Sequence, residues 1–256
     1  MLPVERRQKI LELLQTEGVV NGAQLAEIFG VNVATVRRDL RYLADHHGVV
    51  VTYGGASLAP ESSQPVQGEN ALIEKEVTNL EAKRTIAQKA AVLVKNGESI
   101  ALNAGSTVRL ILDYLPANLT SLTVVTLGLN IAVSAASIPY VHLFIPGGHY
   151  RHSSQALVGP TAERALGDIH VDRAFLGASA IDMEAGWTHP AYAEAATNQM
   201  LMKIARKKYL VCDSSKFDRV AFARVCGLAE FDAFVVDDRF PAHYSEWARA
   251  NDVEVI

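Results

Sequence analysis

Residues 19–55, VVNGAQLAEIFGVNVATVRRDLRYLADHHGVVVTYGG, decide how the amino-terminal part of this chain folds. Asn21 is placed to accept a backbone N–H at the start of a helix over Gly22 to Phe29, and Gly30 permits a tight turn. Asn32 is placed to cap a second helix over Val33 to His46. At about 100° per residue, Val33, Val36, Leu40 and Leu43 of that helix share one apolar stripe. Ala34, Thr35, Arg38, Arg41 and Tyr42 project from the other side. Val49 to Tyr53, followed by Gly54-Gly55, reads as two short strands and a sharp turn. An earlier helix spans Pro3 to Glu17, buries Ile10, Leu11, Leu13 and Leu14, and ends at Gly18. Three helices and a β-ribbon in this order describe a winged helix-turn-helix domain over residues 1–58, with the helix-turn-helix at about 20–39.

Such a helix divides its faces as a groove-reading element must. Arg38 points directly away from the apolar stripe, where its planar fork can meet guanine O6 and N7 or a phosphate. Arg37 lies nearer the stripe and suits a phosphate, with Arg41 further along the outward face. Ala34 and Thr35 occupy the first turn, the part that reaches base edges, and Asn32 serves mainly as the cap. Tyr53 in the wing and Arg6 or Arg7 are expected near the DNA backbone. Bulk charge does not drive this attraction. The first 55 residues carry Arg6, Arg7, Lys9, Arg37, Arg38 and Arg41 against Glu5, Glu12, Glu17, Glu27, Asp39 and Asp45, and the whole chain has a net charge of −4. Position must therefore do what excess charge does not.

Composition changes at Pro60 to Asn70, a run rich in breakers, and a linker is expected over 59–73. Residues 74–256 then form the main domain. A helix over Glu74 to Lys95 precedes β-rich runs at Ser99 to Asn103, Leu122 to Thr126, Val141 to Ile145, Arg173 to Leu176, Tyr209 to Cys212 and Phe231 to Val236. Helical periods at Val108 to Leu115, Leu129 to Ala136 and Glu194 to Arg206 separate them, and Glu246 to Ala250 and Val253 to Ile256 close the chain. Alternation of this kind predicts an α/β fold with a doubly wound, mostly parallel sheet. With 256 residues, of which 49% are apolar, the chain can bury a sizeable core. Cys212 and Cys226 lack metal or redox spacing and read as packed thiols, which fits a reducing cytoplasm. Leu122 to Pro146, the most apolar long stretch, is interrupted by Asn130, Pro139 and His142, so no membrane anchor is expected, and no apolar run follows Met1 to Arg7, so no secretory signal is expected.

Three loops in the main domain carry anion- or sugar-binding chemistry. Ala104-Gly105-Ser106-Thr107 sits between a strand and a helix, where backbone N–H groups and two hydroxyls can face an anion. Pro146-Gly147-Gly148 leads to Arg151, which can receive a phosphate or polyol. Asp213-Ser214-Ser215-Lys216 offers a carboxylate for hydroxyls and an ammonium for phosphate. All three follow strands, at the end where parallel sheets bind ligands. His149 with His152, and His46 with His47, lack partners at ligand spacing, so neither a metal nor a cofactor is expected.

The runs Glu5 to Leu11, Ala26 to Phe29, Val31 to Leu40 and Tyr53-Gly54-Gly55-Ala56 resemble the amino-terminal domain of the DeoR family of bacterial transcriptional regulators. Ala104 to Thr107, Pro146 to Gly148 and Asp213 to Phe217 match that family's effector domain, in order. The resemblance implies a repressor of a sugar or sugar-acid catabolic operon whose second domain is similar to sugar-phosphate isomerases. It also implies three partners: a double-stranded DNA operator, a small sugar or sugar-phosphate effector, and further copies of the chain in a homodimer or homotetramer. Asn103 stands where the family commonly has aspartate and Leu127 where it has asparagine, and Pro190, Ala191, Ala193 and Asn198 replace its usual charged cluster. Each replacement removes a charge or a polar group from the expected pocket, which favours a less polar or differently charged ligand. The rival expectations are an isomerase-like enzyme, with Asp182, Asp213 or Glu194 as general base, and a carbohydrate-binding module. No paired acid and base shows in the spacing, and fold kinship does not transfer activity.

Overall fold

A computed structural model describes residues 3–17, 19–47, 49–52, 54–58 and 78–256. Tyr53, the expected linker at 59–73 and the first residues of the helix expected from Glu74 lie outside the described residues. The chain divides into two compact units, Met1–Ser62 and Ser63–Ile256.

The first unit runs α1 (Pro3–Glu17), β1 (Val19–Asn21), α2 (Gly22–Phe29), α3 (Val33–His47), β2 (Val49–Thr52) and β3 (Gly55–Leu58). Ile10 and Leu14 of α1, Leu25 of α2, and Val36, Leu40 and Leu43 of α3 close one apolar cluster with Val49 and Ala56. The caps form as the sequence dictates. Asn21 Oδ1 accepts from the N–H of Ala23 at 2.8 Å, Gly30 takes φ 61°, and Asn32 Oδ1 accepts from the N–H of Ala34 at 2.9 Å. Val33 departs from its expected place on the buried stripe: it is 38% exposed. It lies in the first turn of α3, and the buried cluster on that helix begins only at Val36.

The wing strands pair antiparallel, and β1 adds to them in the order β1-β3-β2. Three residues are too few to show alternation, which is why β1 is not legible as a strand in the sequence. Gly55 makes the addition possible, because a Cβ there would stand 2.0 Å from the carbonyl oxygen of Val20. We therefore expect Gly55→Ala to push β1 off β3 and to destabilise this unit by about 3 kcal/mol, the upper range for overpacking. Amide exchange of β1 and β3 in the full chain checks it; protection equal to that of the unchanged chain would contradict the close approach.

The second unit contains α4 (Leu80–Ala91), β4 (Ser99–Leu102), α5 (Ser106–Leu110), β5 (Leu122–Thr126), α6 (Leu129–Ala136), β6 (Val141–Phe144), β7 (His149–Arg151) and β8 (Ala156–Val158). It continues with α7 (Pro160–Gly167), β9 (Val171–Leu176), β10 (Ala180–Asp182), β11 (Gly186–His189), α8 (Tyr192–Ile204) and β12 (Ala205–Val211). It ends with β13 (Ala223–Cys226), β14 (Ala233–Val235), α9 (Ala242–Ala250) and β15 (Glu254–Val255). Seven strands form one sheet in the order β15-β14-β12-β9-β4-β5-β6, and every pairing in it is parallel.

Alternate strand residues feed two cores, as a sheet covered on both faces requires. Ala101, Ala174, Leu176 and Leu210 pack with Leu166 of α7, Leu201 of α8 and Tyr244 of α9. Ile100, Leu102, Phe175 and Val211 pack with Ile86 of α4, Val108 of α5 and Ile131 of α6. The sheet is therefore doubly wound, and its order reverses between β4 and β9. Outside it lie an antiparallel sheet, β10-β11-β13, and the hairpin of β7 and β8.

Several boundaries differ from the sequence expectation. Helix α4 ends at Ala91 rather than Lys95, and the expected helix over 108–115 begins at Ser106 and tightens to a 3₁₀ turn at Ile111–Tyr114. Ala205 and Arg206, expected at the end of a helix, open β12 instead, where parallel pairing with β9 outweighs local propensity.

Candidate functional site

Asn32, just before α3, and Ala34, Arg37, Arg38 and Arg41 on it are exposed and Thr35 is half-buried, so these side chains expected to face DNA are open to solvent. Asp39 does not belong to that surface. It is 2% exposed, and its two oxygens meet Arg6 Nε at 2.6 Å and Arg7 Nε at 2.8 Å. The Arg7 guanidinium also lies 3.8 Å over the ring of Tyr42. This corrects the placement of Arg6 near the DNA backbone: Arg6 is 6% exposed and its charge is matched inside the unit. The signal was available in the sequence, because Asp39 falls at the edge of the stripe formed by Val36, Leu40 and Leu43. With Asp39 turned inward, its charge sits against α1 rather than beside Arg37, Arg38 and Arg41.

A second candidate site lies beyond the carboxyl ends of β4, β9 and β12, with the strand order reversing between β4 and β9. Asn103 clasps the reversal. Its Nδ2 donates to the carbonyl of Gly177 at 2.9 Å and to Asn198 Oδ1 at 3.1 Å, while its Oδ1 accepts from Gly177 N–H at 2.8 Å. Three of the amide's four hydrogen-bonding positions are thus occupied by protein. Gly105, Ser106 and Thr107 follow it at the start of α5, both hydroxyl residues being buried. Gly105 has φ 173°, an extended backbone open to any residue, so the glycine is not required there by conformation. Gly147 and Gly148 both take positive φ, and a Cβ on Gly148 would stand 2.8 Å from the carbonyl of Val158. Gly148 therefore serves the packing of the β7–β8 hairpin.

Arg151 places Nη1 2.6 Å from Glu194 Oε1, a buried carboxylate that also accepts from Ser154 Oγ at 2.5 Å and lies 3.3 Å from His189 Nε2. Asp213 is buried beyond β12 and accepts from Asn79 Nδ2 at 3.0 Å, Ser215 N–H at 3.1 Å and Ser215 Oγ at 2.5 Å. Burial pushes its pKa up, but Lys216, Ser215, Lys83 and Asn79 together outweigh that and hold the carboxyl below its ordinary value. Asp213 is therefore ionised at neutral pH, with two ammonium groups bearing on it. Lys83 was not expected from the sequence. It is 3% exposed on α4, and its spacing from Ile86, Ala87 and Ala90 puts it on the buried stripe, a signal that a lysine there has an interior task. Cys212 and Cys226 are buried free thiols whose pKa burial raises, that of Cys226 to about 12, so neither is poised as a nucleophile.

A winged helix-turn-helix with an arginine-bearing outer face, together with an α/β unit whose buried polar side chains gather beyond the carboxyl ends of its strands, fits a transcriptional regulator with a sensor domain. Residues 6–62 match the model of the DeoR-like helix-turn-helix domain, and residues 78–238 match that of the DeoR C terminal sensor domain. The chain belongs to the DeoR family of transcriptional regulators. It is similar to the HTH-type transcriptional regulator GlpR of Haloferax volcanii, at 34% identity over 256 residues covering 100% of this chain and 98% of that protein. It is also similar to the glycerol-3-phosphate regulon repressor of Escherichia coli K12, at 29% identity over 237 residues, 93% of this chain and 92% of the other. Among solved structures, ribose 5-phosphate isomerase A of Methanocaldococcus jannaschii aligns with 55% of each chain at 19% identity and a TM-score of 0.39. Among the described residues, no helix is long and apolar enough to cross a membrane.

Proposed function

We propose that this regulator represses a carbohydrate catabolic operon and leaves its operator when a sugar phosphate or sugar acid binds the crevice of the second unit. Helix α3 lies in the major groove. Arg38 reads a guanine, Ala34 and Thr35 contact bases near the first turn, and Arg37, Arg41 and the wing with Tyr53 meet the backbone. One such helix covers only a few base pairs, so the operator engages a homodimer or homotetramer assembled through residues 74–256, with 59–73 as the linker. The effector favours an arrangement whose helix spacing no longer fits the half-sites. A ligand with equal affinity for both arrangements would change nothing.

The observation that carries the effector half is the buried carboxylate of Asp213 with Lys83 and Lys216 acting on it beside a switch point. That set pairs hydroxyl and anion recognition in one place. Names of relatives point the same way, the glycerol-3-phosphate regulon repressor among them. Catalysis is not part of the proposal, because each candidate base is already engaged: Asp213 and Glu194 as described, and Asp182 by the N–H groups of Glu184 and Ala185 at 2.9 and 2.8 Å.

The test is a gel shift on the DNA flanking the protein's own reading frame, titrated with sugar phosphates. Lys216→Ala is expected to bind DNA as the unchanged chain does and to need at least about tenfold more effector for release, the loss of one charge-assisted contact. An unaltered effector response in Lys216→Ala would remove the Asp213 corner from the pocket.

A further inference from the structure

We propose that the side-chain amide of Asn130 is a ligand-binding group of the sensor crevice and reads two neighbouring hydroxyls on the uncharged part of the effector. The proposal rests on the reading that the second unit binds a carbohydrate-derived effector. Asn130 stands in the first turn of α6, immediately beyond the carboxyl end of β5. Both its Nδ2 and its Oδ1 are buried, and among the described residues neither has a hydrogen-bond partner. Burying an amide without partners is unfavourable, and native folds rarely leave both ends of one unmatched. Trp187 Nε1 is the other such atom among the described residues, but its ring lies in the apolar core, 5.9 Å from that of Phe231.

The amide is held next to the candidate anion loop. A Cβ on Gly128 would stand 3.1 Å from Asn130 Oδ1, 3.1 Å from the Cα of Ala104 and 3.3 Å from Ile131 Cδ1, so the bare glycine is what lets the amide and the start of the 104–107 loop close on the turn after β5. That turn is rigidly held. Thr126 Oγ1 donates to the carbonyl of Leu102 at 2.8 Å and accepts from Gly128 N–H at 3.1 Å, locking the turn after β5 to the end of β4.

The amide's chemistry selects its ligand group. A carboxamide both donates and accepts. A phosphate only accepts, so it would match Nδ2 and leave Oδ1 against negative oxygens. A pair of adjacent hydroxyls satisfies both ends, one accepting from Nδ2 and one donating to Oδ1. The crevice is thereby partitioned, with Asn130 on the polyol and Lys83 and Lys216 on the anion.

Isothermal titration of the full chain would use sn-glycerol 3-phosphate, the 6-phosphates of glucose, galactose, galactosamine and fructose, and the free sugars. At least one probe is expected to bind the unchanged protein, and Asn130→Leu and the isosteric Asn130→Asp are each expected to weaken it about tenfold or more. Deoxy analogues of that probe should discriminate less in Asn130→Leu than in the unchanged chain. Without ligand, Asn130→Leu should melt at the same temperature or a few degrees higher, since an unmatched amide is replaced by an apolar group of similar volume. A drop of about 4 °C or more would reveal a protein partner and overturn the proposal. Variants that bind the probe as tightly as the unchanged chain would also overturn it while leaving the crevice reading intact. Absence of binding by every probe to the unchanged protein would instead overturn the carbohydrate reading itself.

Discussion

Replacing Asp39 with asparagine is expected to lower the stability of the amino-terminal unit by about 3–5 kcal/mol, the usual consequence of removing one partner from a buried ion pair. Asp39 and Arg6 are 2% and 6% exposed, so solvent screens little of their interaction. Asparagine keeps the shape and part of the hydrogen bonding, but leaves the Arg6 guanidinium buried without its counter-charge and loosens Arg7 from its place over Tyr42. The loss should be largely recovered by Arg6→Met with Asp39→Leu, because a buried pair replaced whole by apolar groups of similar volume is often neutral. Thermal unfolding of the full chain, followed by amide exchange in α1 and α3, checks both variants. A single Asp39→Asn change within about 1 kcal/mol of the unchanged chain would mean that these arginines are not held as described.

Arg38→Ala carries the second large expectation. Loss of a bidentate contact to guanine costs about 1–3 kcal/mol for each helix engaged, so an operator holding two helices should lose roughly thirtyfold or more in affinity. Sequence preference should relax at one base position per half-site. Arg37→Ala should behave differently, weakening all sequences alike and reducing the slope of affinity against salt by about one counterion for each helix engaged. Fluorescence anisotropy with operator and shuffled duplexes at two salt concentrations separates the two. If Arg38→Ala keeps the sequence preference of the unchanged chain, the reading head lies elsewhere on the unit.

What the sequence made legible followed from short-range rules. Asn21, Gly30 and Asn32 cap and turn because their side chains or their φ settle the geometry locally, and Val36, Leu40 and Leu43 are buried because one helix period aligns them. The α/β alternation was legible for the same reason: each strand of the seven-stranded sheet except β15 contains a short apolar run, such as Tyr209-Leu210-Val211 in β12. Missing were the features created by contact across the chain. Strand β1 exists because Gly55 lets β3 approach it, and β10, β11 and β13 form a sheet whose members are three or four residues each.

At the candidate effector site, the places of Asn103, Gly105 and Asp213 just beyond their strands were legible, but the partners of Asn103 and Asp213 were not. Asn103 meets Gly177 and Asn198, and Asp213 meets Asn79, at separations of 74, 95 and 134 residues. Lys83 and Asp39 were readable in retrospect, each a charge on a buried stripe. The lesson is physical: an ionisable residue at stripe spacing marks an interior partner before the partner is known.

On the reading proposed above, α3 confers sequence-selective DNA binding on this chain. The most direct test of that reading is the affinity of the purified full-length protein for duplexes tiling the DNA around its own reading frame, against random duplex of equal length at one fixed salt concentration. One or more fragments should bind at least about a thousandfold more tightly than random DNA, the lower range for specific regulators. Equal affinity for every fragment and for random duplex, at all protein concentrations tried, would contradict it.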